Sequence, residues 1–580
     1  MNAQSHGSGP GGRPPGTEPQ EQQSTGPPGT ASPSRTKSPA GPARPARRRR
    51  RGAAIAHAFT RPERYAVLLA GALPVLAFGS LNLEFLAWFV LVPGLLLMRA
   101  APTGREAAVR GWWFGAGYLL MALYWLIPNL GPALLLVAIV MGAPWAAVGL
   151  AARFLLRGTA EQEPGPSIRS RTWRLPGAPP GMRRALAAIV VVPSCWVVID
   201  WIRSWQGIGG PWAVYGASQW QHPMVLALGA VGGIWLITFV LVAANTAIVI
   251  ALTAGGLVRA LGAAAALVAV FAGPAAFALT ASEHAARPAG HITLALVQPG
   301  LENGPARRLA EEIRLTTTSR RPALFVWAES SVGYDLYADH GILHRLQRLS
   351  ASVGTQLLVS QDAISPTGAK SKVAVLIGPG GMEETYTKTR LVPFGEYIPF
   401  RSALGWLSSI SRAAPQNMAA GAGAHVLHTD LPGGRRLNFG ILICFESSFP
   451  DMSRVDANHG AQVLIYQTSD STFQGSWAPE QHASLAALRA AETGRPAVQA
   501  ALTGDSVAFD ARGRLLAWAS TTDRGVVRVT LSLPPADVRT PFDRLGDYVP
   551  WFAIAVVALA GGAGITRWVL FRRIRSGTSE

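Results

Sequence analysis

The chain reads as a polytopic α-helical membrane domain of eight spans joined to an extracytoplasmic α/β domain. Three observations predict this. Long apolar segments recur along the chain, and Arg-rich connections between them alternate with Arg-poor ones. Between the seventh and eighth segments the pattern changes to short β-rich runs alternating with polar, helix-compatible stretches. Hydrophobic residues make up 49% of the 580, which places the chain among membrane proteins. The net charge of +19 sits in tails and loops beside apolar spans, a topogenic pattern that argues against a nucleic-acid partner.

Residues 1–60 are rich in Pro, Gly, Ser and Thr and cannot bury enough apolar surface to offset ordering entropy, so a disordered tail is expected. It ends in the charge run Arg47–Arg51. The first apolar segment starts far from Met1 and is followed by others, so it is not read as a cleaved signal. Crossing a bilayer takes ~20 apolar residues. The candidates are 64–80, 82–99, 112–130, 133–156, 185–203, 225–253, 259–281 and 548–570. The first two are separated by a short turn carrying Glu84, and the sixth is long enough to be tilted or extended. Trp112, Trp113, Trp125 and Trp201 lie near span ends, where interfacial anchoring is the ordinary role. Glu84 and Asp200 are ionisable groups at or in spans.

Arg99, Arg105 and Arg110 follow the second span, Arg157 to Arg184 the fourth, Arg259 the sixth, and Arg572, Arg573 and Arg575 the eighth. The loops after the first and third spans have no Lys or Arg. Both termini are therefore expected in the cytoplasm, and the segment after the seventh span outside it. The organisation expected is a tail (1–60), seven membrane helices (61–285), an extracytoplasmic domain (286–540), an eighth helix (541–571) and a short basic tail (572–580).

In the α/β segment, strands are expected at His291–Gln298, Ala323–Ala328, Gln356–Ser360, Val373–Ile377, Leu437–Cys444, Ala461–Gln467, Ala497–Ala501, Ser506–Phe509 and Val526–Leu531. Helices fit Arg307–Thr316, His340–Ala351 and Pro479–Thr493. Near-continuous apolar strands imply a sheet covered by helices, with reactive groups at the carboxyl ends of strands. Three such ends carry chemistry: Leu324–Glu329, Tyr386–Glu396 and Gly440–Glu446.

Cys444 is one of two cysteines, and the other, Cys195, lies in an apolar span. A thiol without a disulfide partner outside the cytoplasm is unusual unless it is used. Lys388 is one of four lysines in a chain that otherwise uses arginine, which points to a need for a compact ammonium. Lys370 and Lys372, in a Gly/Ser turn, read as solvated. A free thiol is only a few per cent ionised near neutrality, with a pKa of ~8.5. A carboxylate such as Glu329 can take its proton, and an ammonium can favour the thiolate and stabilise an oxyanion. No metal-ligand spacing stands out among the eleven histidines, and no phosphate-cradling loop is present. Neither a metal nor a cofactor is expected.

The motifs V-W-x-E-S (Val326–Ser330), Y-x-K-x-x-L-V-P-F-G-E-Y-I-P (Tyr386–Pro399), C-F-E-S (Cys444–Ser447) and R-A-x-E-T-G-R-P (Arg489–Pro496) follow in order. This set resembles the nitrilase, or carbon–nitrogen hydrolase, superfamily with its Glu-Lys-Cys triad. With the spans, Gly210-Pro211-Trp212, Tyr215-Gly216 and Asn245 added, the chain resembles the apolipoprotein N-acyltransferase family from about residue 60 onward. The resemblance implies an αββα sandwich with Glu329 as general base, Cys444 as nucleophile and Lys388 as oxyanion stabiliser. It implies supporting roles for Glu396 and Glu446, and an oxyanion-hole N–H near Phe445. The implied partners of this monomer are a membrane phospholipid, as acyl donor, and an S-diacylglyceryl-cysteine apolipoprotein, whose amine accepts the chain through a cysteine thioester. Phe400–Ala424, with Leu404, Trp406, Leu407 and Ile410, would be a lipid-facing lid.

The chain departs from the family pattern at Phe445, where tyrosine is common, at Ser469-Asp470, and at Gly300–Asn303, which lacks a tryptophan. Asp470 and His482 fall near the site without an assigned chemistry. Two other readings are a membrane-tethered amidase that uses water and a non-catalytic paralogue that assists a partner enzyme. Eight spans exceed what tethering needs, and an intact Glu329, Lys388 and Cys444 speak against a pseudoenzyme.

Overall fold

The computed structural model describes residues 62–78, 83–158, 178–284, 289–410, 414–431 and 435–577. The expected tail with Arg47–Arg51, and Arg169, Arg171 and Arg174, lie outside these. Among the described residues five helices are long and apolar enough to cross a membrane: Ala133–Leu156, Met182–Arg203, Pro223–Thr253, Gly256–Thr280 and Tyr548–Thr566. They coincide with the last five expected spans.

The first three expected spans take another form. Helix Pro62–Ala72 passes into a 3-10 turn, Leu73–Ala77, and a second 3-10 turn, Glu84–Trp88, precedes the short helix Val92–Arg99. The irregular backbone of 84–91 is held by polar side chains from later in the chain. Asn245 Nδ2 and Tyr215 OH both donate to Ala87 O (2.9 and 2.7 Å), Gln219 Nε2 donates to Glu84 O (2.9 Å), and Asn245 Oδ1 accepts from Leu91 N (2.9 Å). Irregular backbone is tolerated in an apolar layer when it is satisfied this way. The third helix runs over Gly104–Ala122 rather than 112–130, with Thr103 Oγ1 accepting from Glu106 N. Its first turns bury Glu106 between Arg64 (2.5 Å) and Arg110 (3.3 Å).

The long sixth span is neither one tilted helix nor an extension. Pro223–Thr253 breaks at Gly232-Gly233, where Gly233 has φ +68° and faces the Phe542 ring, leaving no room for a Cβ. The break bares the amide of Ile234, which donates to Glu492 Oε1 at 2.8 Å. A carboxylate at a helix start satisfies an orphan donor and complements the helix dipole. Glu492 belongs to the α/β domain and pairs with the equally buried Arg489 (2.9 Å). Asp547, just before the last helix, accepts from Trp201 Nε1 (3.1 Å) and Trp235 Nε1 (3.2 Å), so Trp201 is a tie between helices.

Among the described residues the α/β domain has twelve strands in two six-stranded sheets. The strands are β1 Gly290–Gln298, β2 Leu324–Val326, β3 Gln356–Ile364, β4 Lys370–Gly378, β5 Gly381–Thr387, β6 Val426–Leu431, β7 Arg435–Ile443, β8 Val463–Thr468, β9 Ala497–Ala501, β10 Ser506–Phe509, β11 Leu515–Ala519 and β12 Gly525–Leu533. One sheet has the order β12-β1-β2-β3-β4-β5 and the other β11-β10-β9-β8-β7-β6. Strands β5, β6 and β11 and helix Pro450–Asn458 add to the expected elements.

Alternation along the strands sorts the residues of the first sheet. Leu294, Leu296, Leu324, Val326 and Leu358 share a core with Leu437, Ile441 and Leu464 of the second sheet. Ala295, Val297, Phe325 and Val359 instead meet Leu309, Leu343 and Leu346 of helices Pro305–Thr318 and His340–Val353. A period of two on twisted sheets is what lets each strand serve two layers.

Candidate active site

Three strand ends converge. Strand β2, pairing in parallel with β1 and β3, runs out through Trp327 and Ala328 to Glu329. Strand β5 ends at Thr387, and Lys388 follows, its N–H donating to Lys372 O (2.9 Å). Strand β7, parallel to β8, ends at Ile443, and Cys444 follows. Cys444 has φ +54° and Ser330 φ +55°, both in the left-handed region that non-glycine residues seldom adopt. Such strain is held in place by surrounding contacts and is common where a side chain must be aimed.

Lys388 is 0% exposed, and its Nζ donates to Glu329 Oε1 (3.1 Å) and Glu396 Oε1 (2.7 Å). Glu396 is fixed in turn by Val392 N on Oε2 (2.9 Å). Burial works against the Lys388 charge, but Glu329, Glu396 and Cys444 hold its pKa well above the usual lysine value. The site therefore contains a permanent buried cation. The Cys444 thiol moves the same way. Burial and the Glu329 carboxylate push it well above the usual range, against the pull of Lys388. The net balance favours the thiol, so of the two aids the sequence offers, a carboxylate that can take the proton weighs more than the pull of the ammonium.

Glu446 ties the elbow to the Lys388 segment. Its Oε1 accepts from Tyr386 OH (2.9 Å), Thr389 N (2.6 Å) and Arg390 N (2.9 Å), and its Oε2 from Ile443 N (2.8 Å). Burial raises its pKa, while the backbone N–H groups of Ile443 and Arg390 oppose the rise. Its geometry makes it a bracket between two strand ends. Phe445 is buried and packs edge-on against Phe449 at 4.8 Å.

Asp470 and His482, expected near the site without an assigned chemistry, are neighbours of Cys444. His482 Nε2 lies 3.1 Å from Cys444 O and 2.9 Å from Ser447 Oγ, and its Nδ1 lies 3.1 Å from Asp470 Oδ1. Burial lowers the His482 pKa, but Asp470 outweighs this and raises it. The imidazolium form donates to both Asp470 and the Cys444 carbonyl. The Cys444 Sγ, an Asp470 oxygen and a His482 nitrogen lie within 4.8 Å of one another. Both ring nitrogens are engaged, so the trio fits a hydrogen-bond relay better than a metal site. Lys372 corrects the solvated reading: its side chain is 15% exposed, bonds Asp362 Oδ1 (2.6 Å) and donates to Ser330 Oγ, beside Glu329. Lys370 stays exposed.

The membrane half supplies the remaining wall. Trp212 lies over Phe445 (6.2 Å, stacked) and meets His482 edge-on (5.3 Å). Gly210, at φ +82°, approaches the Phe445 ring so closely that a Cβ would collide with it. This loop is held by Arg203, which donates to Trp212 O (2.5 Å) and Ala213 O (2.8 Å) while paired with the buried Asp200 (2.9 Å). Trp125, expected as an interfacial anchor, is buried between Trp212 (5.3 Å) and Phe473 (4.8 Å).

Residues 70–247 match the family described as apolipoprotein N-acyltransferase N-terminal domain, and residues 347–537 match carbon-nitrogen hydrolase. The apolipoprotein N-acyltransferase of Sinorhizobium medicae (strain WSM419) is 31% identical over 531 residues, spanning 85% of this chain and 93% of that protein. The chain belongs to the apolipoprotein N-acyltransferase family. The Rhizobium meliloti (strain 1021) member is 30% identical over 80% of this chain and 88% of its own length. That of Geobacter metallireducens is 25% identical over 89% and 96%. Membership in the apolipoprotein N-acyltransferase family makes the chain an enzyme of acyltransferase type with a carbon–nitrogen hydrolase domain.

In this family member the raised thiol pKa has a direct readout. Fewer thiolates exist at a given pH, so alkylation of Cys444 by iodoacetamide is expected to keep rising above pH ~9, where an ordinary thiol levels off. Glu329→Gln removes the carboxylate that disfavours the thiolate and shifts this profile to lower pH. The same variant loses acyl-enzyme formation with a lipid donor. A profile that moves to higher pH in Glu329→Gln would contradict the site electrostatics.

Proposed function

We propose that the protein moves a fatty acyl chain from a membrane phospholipid to the amine of an S-diacylglyceryl-cysteine apolipoprotein. The observation that carries this is a half-buried, disulfide-free Cys444 on a strained elbow. It interacts with a Glu329–Lys388–Glu396 cluster, and the next residue, Phe445, lies under a tryptophan from the membrane half. In the first step Cys444 Sγ attacks the ester carbonyl and its proton passes to Glu329. Lys388 and an N–H near Phe445 stabilise the oxyanion. The C–O bond breaks, Glu329 returns the proton to the departing alkoxide, and a lysophospholipid leaves. In the second step the acceptor amine attacks the thioester and Glu329 takes its proton. The C–S bond breaks, and the proton restores the thiol as the amide departs. Glu396 orients Lys388, and Glu446 fixes the elbow.

In this reading the two sheets and their helices form an αββα sandwich outside the cytoplasm. The N-terminal segments 62–77, 84–99 and 104–122, helix and 3-10 turn together, and the five long helices make eight crossings, with both termini inside. The boundaries are 61–285 for the membrane half, 286–540 for the catalytic domain and 541–571 for the last helix. Confining enzyme and both lipid-anchored substrates to one surface raises their effective concentration. Segment 400–424 acts as the lid: Phe400 is 76% and Trp406 59% exposed, which suits lipid contact. Arg401 staples its base by donating to Ala414 O (2.7 Å) and Asn417 Oδ1 (2.7 Å).

The test is mass spectrometry of a lipoprotein N-terminus from cells with and without this protein. The expected result is one added acyl chain that depends on the protein. A diacyl, free-amine form in both would overturn the proposal.

A further inference from the structure

Strands β7 and β8 run in parallel with Ile443 opposite Gln467, so the residues that follow them leave the sheet side by side. Cys444 follows the first strand and Asp470 the second. His482, from helix Ala478–Thr493, meets both. Asp470 and His482 are buried, and neither takes part in the acyl-transfer steps proposed above. A buried ion pair offsets its desolvation only through well-placed hydrogen bonds, so the destination of those bonds is informative.

His482 Nδ1 faces Asp470 Oδ1 and Oδ2 (3.1 and 3.2 Å), and Nε2 faces Cys444 O (3.1 Å). A carboxylate and a carbonyl only accept, so both contacts are hydrogen bonds only when both ring nitrogens carry hydrogen. Ser447 Oγ also donates to Cys444 O (2.9 Å). The Cys444 carbonyl thus takes one charge-assisted bond and one neutral bond. Farther along the same helix Arg489 donates to Ser448 O (3.0 Å), and Ser448 Oγ donates to Phe445 O (2.6 Å). His482 and Arg489 are two helical turns apart and share a face, which grips the elbow by its carbonyls. In a trans peptide the carbonyl and the next residue's N–H point in opposite directions. Fixing Cys444 O on His482 therefore aims the Phe445 N–H away from this helix. Among the described residues no acceptor meets that N–H.

We infer that the Asp470–His482 pair holds and polarises the peptide between Cys444 and Phe445, so that the Phe445 N–H becomes an aimed and strengthened oxyanion donor. The inference rests on the acyl transfer proposed above. In this role both are positioning residues: His482 acts through the peptide, and Asp470 acts through His482. A hydrogen bond from an ionised donor is about twice as strong as a neutral one. Hydrogen bonds in series also polarise one another, by ~10–30% per bond. Electron density drawn toward the Cys444 oxygen leaves the Phe445 nitrogen more positive and its hydrogen a better donor to a developing oxyanion.

The test uses the full chain in detergent, isotopically labelled at the cysteine carbonyl carbon and the phenylalanine nitrogen. Cys-Phe occurs once in the sequence, so one NMR cross-peak reports the peptide 444–445. His482→Leu is expected to move its amide proton and carbonyl carbon upfield. Asp470→Asn, which leaves the ring in place, moves them part of the way, and the neutral donor of His482→Gln recovers part of the shift. Acyl-enzyme formation is read in mixed micelles of phosphatidylethanolamine and phosphatidylglycerol. At saturating lipid it slows about 10-fold in His482→Leu with KM unchanged, less than the ~10²–10³-fold cost of losing an oxyanion donor outright. His482→Gln regains part of that rate. Wild-type melting of Asp470→Asn and His482→Gln shows that the fold is kept. With an acylating wild type, a cross-peak that stays in place in every variant overturns this inference alone, and so does a rate loss carried by KM. A wild type that forms no acyl-enzyme overturns the acyl-transfer reading and the inference with it.

Discussion

Cys444→Ala is expected to abolish the hydroxylamine-labile adduct that forms when the protein is incubated with phospholipid. The expected loss in acyl transfer is about 10⁴-fold or more, the scale seen when a nucleophile is removed from a cooperating set. The reason lies in the division of labour. In the proposed reaction Lys388 is a fixed cation and Glu329 a positioned base, yet neither can carry the acyl chain between two substrates. The only other cysteine, Cys195, is buried within helix Met182–Arg203 and does not substitute. The variant should stay folded, because its elbow is still held by Glu446 on Ile443 N and by His482 and Ser447 on the carbonyl of residue 444. A labile acyl adduct on Cys444→Ala protein would remove the nucleophile assignment.

Lys388→Met is expected to cost both activity and stability. The ammonium separates two carboxylates, Glu329 at 3.1 Å and Glu396 at 2.7 Å, and all three groups are buried. Removing one member of such a set leaves uncompensated buried charge, a loss of about 3–5 kcal/mol. In the proposed reaction the oxyanion would then lack its cation, and acyl transfer should fall by about 10³-fold or more. Adding Glu396→Gln to Lys388→Met should recover part of the stability, read by chemical unfolding in detergent, and none of the activity. A Lys388→Met protein as stable and as active as wild type would contradict the buried-cation account.

The residues proposed to react are legible because each sits in a short run that ends a strand: Glu329 after β2, Lys388 after β5, Cys444 after β7. Local pattern carries that much. Lys372 was misread because its partner, Asp362, lies across the β3–β4 ladder, and a Gly/Ser turn next to it suggested solvent. Trp212 reaches Phe445 and His482 reaches the Cys444 carbonyl from other elements, and these distances depend on the tertiary fold. The first two spans were drawn as helices because hydropathy counts apolar side chains. It cannot see that Asn245, Gln219 and Tyr215 supply partners for a backbone far earlier in the chain. The long sixth span hides its break for the same reason, since near-neutral Gly232-Gly233 does not interrupt the apolar run and the group that completes the helix is distant.

That break sets an order of events during synthesis. Ile234 leaves the ribosome 258 residues ahead of Glu492. At about 5–20 residues per second, the bared amide waits roughly 13–50 s for its carboxylate to exist. The membrane half is thus made with one helix unfinished, and the helix is completed only when the α/β domain folds down upon it. The two halves mature as one object, and Glu492, paired with Arg489 in its own helix, closes both.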